Sequence, residues 1–192
     1  LDSLVISDNP NLKSLEGFQN LKKLNRSLIV ENNRGLKNLK GLGQIDGVLE
    51  GAVKILDNSN LESLEGLEGL KEVQSTEGFL IGTNNAMTSL KGLTGLEYVA
   101  RFIIADNRAL TTADSLTSLQ SVGVLTFIDN EELEVIEPMP SLQTVDDLVN
   151  VSGSPNLPYC ETERLFDDVT FEGDAMLQLT GLKAGTQCSG TP

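Results

Sequence analysis

The residues of this chain that could do chemistry are mostly carboxylates, and they recur in register. Asp8, Asp57, Asp106 and Asp129 each stand directly before an asparagine, with Asn32 and Thr83 in the intervening places. A column of side-chain oxygens can hold Ca²⁺, a cation that takes oxygen ligands. The column is interrupted, however, and no Asp-x-Asp-x-Asp-Gly loop accompanies it. Asp is also favoured wherever a turn needs a side-chain acceptor, so a turn role and a Ca²⁺ role both stand open. A glycosidase pair would need two acids at a defined separation, and the periodicity alone accounts for these four. The chain has no His, which removes the commonest general base and transition-metal ligand and excludes Ser-His-Asp or Cys-His chemistry within it. Its two Cys have neither a base to activate them nor further soft ligands to share a metal. The expectation is a protein that is not an enzyme and holds no cofactor, Ca²⁺ being the one candidate ion.

The charge balance narrows the partners. Lys and Arg number 14 against 28 Asp and Glu, a net charge of −14 over 192 residues. Phosphate backbones and anionic membranes attract clustered bases, so neither nucleic acid nor an anionic bilayer is an expected partner. No apolar run approaches the ~18 residues of a membrane-crossing helix, so no transmembrane segment is expected in this chain. The sequence begins at Leu1 in mid-pattern, without Met, which suggests a mature or trimmed form; whether earlier residues cap the N-terminus is open.

What positions the acids is a repeat. Asn9, Asn33, Asn58, Asn84, Asn107 and Asn130 recur at steps of 24, 25, 26, 23 and 23 residues, and Ser154 takes the seventh place 24 residues on. Leu12, Leu36, Leu61, Met87, Leu110, Leu133 and Leu157 follow three positions later. Next come Leu15, Leu39, Leu64, Leu90, Ala113 and Ile136, then a small or turn-forming residue at Gly17, Gly41, Gly66, Gly92, Ser115 and Pro138. Upstream, apolar residues alternate: Leu4 and Ile6, Leu28 and Val30, Val53 and Ile55, Phe79 and Ile81, and so on to Val149 and Val151. Period-two alternation of this kind marks one strand per repeat. A second apolar series, including Ile45 with Val48, Leu70 with Val73 and Leu96 with Val99, leads into each next strand. The stretches between are too short and Gly-broken for α-helix, so extended or 3₁₀-like segments are expected. Strands repeated every ~24 residues stack in parallel as a solenoid. The fold expectation is mostly β: a parallel β-solenoid of about seven rungs over residues 1–158.

The recurrent Asn sits where the chain leaves the strand and backbone groups lack ladder partners. Its amide both donates and accepts, so a structural asparagine ladder is expected, with a ligand-binding polar row as the alternative. The outward strand position reads Val5, Ile29, Lys54, Leu80, Ile103, Thr126 and Asn150 on successive rungs. An apolar row on an exposed face often marks a contact surface, although β-branched residues also simply suit strands and a loop can cover them. Asn25-Arg-Ser27 and Asn150-Val-Ser152 are sequons that matter only in a eukaryotic secretory pathway.

Residues 159–192 break the pattern and are expected to cap the open end. The stretch from Tyr159 to Val169 suits a short amphipathic helix. Cys160 and Cys188, 28 residues apart, read as one disulfide clamping the cap, worth roughly 3–4 kcal/mol in the chain-entropy model. That would place the chain in an oxidising compartment; two free thiols are the alternative.

Leu-x-x-Val-x-x-Phe-x-Ile-x-x-Asn, running from Leu96 through Val99, Phe102 and Ile104 to Asn107, resembles the receptor L-domain type of leucine-rich repeat. Leu61-Glu-Ser-Leu64-Glu-Gly-Leu67 is similar to the bacterial surface and lipoprotein versions. The resemblance covers roughly residues 1–158. It implies a right-handed solenoid, and a chain that is secreted or on the cell surface, with any lipid anchor lying outside these residues. The function expected is recognition of a protein or glycan on the sheet face; the alternative is a structural spacer within a larger surface protein.

Overall fold

The computed structural model describes residues 1–43 and 45–184. Within them lie thirteen strands: β1 (Leu4–Ser7), β2 (Leu28–Glu31), β3 (Gly47–Leu49), β4 (Val53–Leu56), β5 (Leu70–Val73), β6 (Phe79–Gly82), β7 (Tyr98–Ala105), β8 (Thr112–Ala113), β9 (Ser121–Ile128), β10 (Val135–Ile136), β11 (Thr144–Ser152), β12 (Thr170–Phe171) and β13 (Met176–Thr180). One helix, α1 (Tyr159–Arg164), and two 3₁₀ turns, Glu16–Phe18 and Lys40–Leu42, complete the regular structure. The protein is a mostly β, parallel solenoid of about seven turns.

Alternation in the sequence becomes the pleat of the main sheet. Its strands run β1-β2-β4-β6-β7-β9-β11, all parallel and in register, so that Leu4, Leu28, Val53, Phe79, Phe102, Leu125 and Val149 form one inward column. Every one of them is buried. Each contributes roughly 1.5–3 kcal/mol by leaving water. Like stacks on like: the Phe79 and Phe102 rings lie 5.0 Å apart, 24° from parallel. β3 and β5 start a second face that β7, β9 and β11 join by bending around the corner, and β8 with β10 begins a third.

Two differences from the expectation have local causes. Val48 is exposed at 38% while Leu49 is buried, because Gly47 takes φ +99° and the pairing of β3 with β5 slips there. The slip exchanges which neighbour faces inward. Residues 159–184 are more than a cap. β13 pairs in parallel with β11 from Leu148–Met176 to Ser152–Thr180, adding an eighth rung to the main sheet, and α1 is the short helix that precedes it. Cys160 lies in α1, but Cys188, and with it the proposed pairing, lies outside the described residues.

The Gly of each Leu-x-Gly-Leu segment is dictated by the rung before it. Gly66 and Gly92 adopt φ +116° and +119°, and a Cβ on either would overlap the carbonyl oxygen of Leu39 or Leu64. Gly17, in the first rung, has nothing within 4 Å of that direction.

Candidate interaction face

The six asparagines form a continuous hydrogen-bonded column. The backbone N–H groups of Asn9, Asn33, Asn58, Asn84 and Asn107 donate to Oδ1 of the next rung's Asn, at 3.0–3.2 Å. Each Nδ2 from Asn33 onward donates back to the preceding strand, at the carbonyls of Ile6, Val30, Ile55, Ile81 and Ile104. Asn33 through Asn130 are fully buried; Asn9, at the end, is exposed. In this arrangement the amides are spent on the backbone, and those of Asn33 through Asn130 turn inward. Ser154, in the seventh place, has too short a side chain to continue, and its buried Oγ finds no partner.

The acid column has an equally local explanation. Asp8, Asn32, Asp57, Thr83, Asp106 and Asp129 all sit at φ between +52° and +58°, with Gly153 at +65° in the seventh rung. Asp, Asn and Gly tolerate this left-handed conformation better than other residues. Neighbours then bond along the column: Asn32 Nδ2 donates to Asp8 Oδ1 (2.6 Å) and Thr83 Oγ1 to Asp57 Oδ1 (2.8 Å). Among the described residues no three Asp, Glu, Cys or His side chains gather as a metal site. β-Branched Thr83 is the misfit. Thr83→Asn keeps a donor for Asp57 and removes the strain, so it should raise stability by about 1 kcal/mol, read as a higher urea midpoint at unchanged slope.

The outward row lies on the other side of the same strands. Val5, Ile29, Lys54, Leu80, Ile103, Thr126 and Asn150 are direct neighbours across successive parallel pairs. Val5 is 58% exposed; Ile29, Lys54, Leu80, Ile103 and Asn150 are half-buried. Thr126 departs from the expected exposure and is only 6% accessible. It is small and stands between Ile103 and Asn150, with Val124 and Ile128 two residues away on the same face. The row widens where Leu56, Gly82, Ala105 and Ile128 form the next outward column. Alternation revealed the first column; the second is broken by Ser7 and Glu31 and was missed.

Charge is arranged differently on each side. Lys37–Glu62 (2.8 Å) and a Lys40–Glu65–Lys91 triplet tie rungs together along the Leu-x-x-Leu flank, and Lys71–Glu97 (3.0 Å) does so on the second face. Hydrogen bonds from Lys91 and Lys40 hold the Glu65 carboxyl below its usual range, and the same contact raises Lys91. Burial raises the Tyr98 hydroxyl, helped by Asp146 and Glu72.

No family model, curated protein or solved structure matches the chain. Fold and site geometry together define a parallel β-solenoid with an internal asparagine ladder and a partly apolar outer sheet. Among the described residues no helix is long and apolar enough to cross a membrane.

Proposed function

We propose that this chain is a non-enzymatic recognition module that binds a protein or glycan on its main sheet, and that its repeats are of the receptor L-domain-like leucine-rich type. The carrying observation is the outward row, in which Val5, Ile29, Leu80 and Ile103 keep register from rung to rung, Val5 exposed and the other three half-buried. Apolar surface held in water costs free energy, and contiguous patches commonly mark contacts. The test is capture from a glycan array and a protein extract. Leu80→Asp with Ile103→Asp should reduce capture by an order of magnitude or more while shifting Tm by only a few degrees. Collapse of the fold would make the row core, and failure of the unaltered chain to capture anything would favour the spacer.

We also propose that the chain works outside the reducing cytosol, secreted or on a cell surface, with Cys160 and Cys188 joined across the C-terminal segment. The support is that both cysteines of the chain lie beyond the regular repeats. Mass spectrometry without reductant should find a chain about 2 Da lighter than the dithiol and inert to iodoacetamide; labelling at both thiols would refute the bond.

A further inference from the structure

The left-handed corner that ends each main strand runs beside the apolar row and carries Asp8, Asp57, Asp106 and Asp129, with Glu31 next to it at the end of β2, against two bases, Arg34 and Arg108. None of the ion pairs found among the described residues uses any of these five carboxylates, whereas Lys54, the one base in the row, is taken by Glu77 at 3.3 Å. Part of this corner forms an open groove of about 580 Å³, lined by Asp8, Glu31 and Asp57 and by the Arg34 side chain. An apolar strip with an uncompensated acidic border is therefore presented as one surface. Resting on the recognition reading, we propose that its partner is a basic polypeptide: an apolar stripe flanked by Lys or Arg, the stripe seated on Ile29, Leu80 and Ile103 and the bases along the acidic border from Asp8 to Asp129.

Two other occupants fit less well. Sugar rings bind through their C–H faces to aromatic platforms, and the row and its neighbouring column contain no aromatic residue, in a chain without Trp. A second copy would bring the same acidic border against the first, and like charges juxtaposed oppose association.

The probes are three synthetic 16-residue peptides: alternating Leu and Lys, alternating Leu and Glu, and alternating Ser and Lys, followed by fluorescence anisotropy at 50 and 500 mM NaCl. The Leu-Lys peptide should bind at least about tenfold more tightly than either control, and lose several-fold in affinity at high salt, where the Debye length is short. Asp57→Asn, Asp106→Asn and Asp129→Asn together should weaken it by about fivefold or more; Asn suits the left-handed backbone, so the fold is kept. Leu80→Ser with Ile103→Ser should weaken it comparably. Equal binding of the Ser-Lys peptide, or indifference to both variants, would reduce the effect to the attraction of any cation for a protein of charge −14 and overturn the proposal. Row-dependent capture of a glycan or an acidic protein, without binding of the Leu-Lys peptide, would overturn it while leaving the recognition reading intact.

Discussion

Gly66→Ala should abolish cooperative folding or cost more than about 3 kcal/mol, while Gly17→Ala should change stability by less than about 0.5 kcal/mol. The residue types and the repeat position are identical, so propensity cannot separate them. At Gly66 the backbone stands at φ +116°, which a Cβ disfavours, and the added carbon would overlap the Leu39 carbonyl oxygen. That oxygen belongs to the backbone of the previous rung, which can yield only by opening the stack. At Gly17 no rung lies beneath and nothing is within 4 Å. Urea denaturation followed by far-UV circular dichroism measures both. A tolerant Gly66→Ala would mean that adjacent rungs are less tightly seated than the geometry requires.

Asn84→Ala should be the next most damaging single change, at roughly 3–5 kcal/mol, because one side chain serves several buried groups. Its Oδ1 accepts from the Asn58 backbone N–H (3.1 Å) and Nδ2 (3.3 Å), and its own Nδ2 donates to the Ile55 carbonyl (2.8 Å). Truncation strands these groups where water does not reach, at roughly 1–3 kcal/mol each. The matched control is Asn9→Ala at the exposed end, where water substitutes for the lost amide and the cost should fall to about 1 kcal/mol or less. Similar losses at the two sites would show that the ladder contributes through turn conformation and not through buried hydrogen bonds.

The rungs were legible because two independent periodicities coincide. The Asn–Leu–Leu–Gly spacing set the turn, and the alternation before it set the pleat, so a one-residue error in either would have broken the other. Where only one signal operated, the reading slipped. Val48 and Leu49 are both apolar, and nothing in the local pattern announces that Gly47 shifts the register. The rung formed by β13 went unrecognised because its Leu177 and Leu179 alternate correctly, yet neither Asn nor Ser follows at the expected offset. The acid column was visible as a spacing but not as a backbone conformation; only φ shows why Asp, Asn and Gly can replace one another there and why Thr83 is the misfit. The outward row was legible in identity and not in depth. Alternation assigns a side chain to a face, whereas the shielding of Thr126 depends on residues of three rungs.

The asparagine column is directional, and that gives the molecule a sense of order in time. From Asn9 to Asn107 the N–H of each ladder Asn is answered by the Asn one rung later, and the carbonyls of the preceding strands by amides that have yet to be made when those strands leave the ribosome. A growing chain therefore always carries one rung in debt to the next. Lengthening by a whole rung would pass the debt forward, while an insertion that loses the Asn would leave it unsettled in the interior. Ser154 is where the amide succession stops, and from there β12 and β13 continue the stack through backbone pairing with β11.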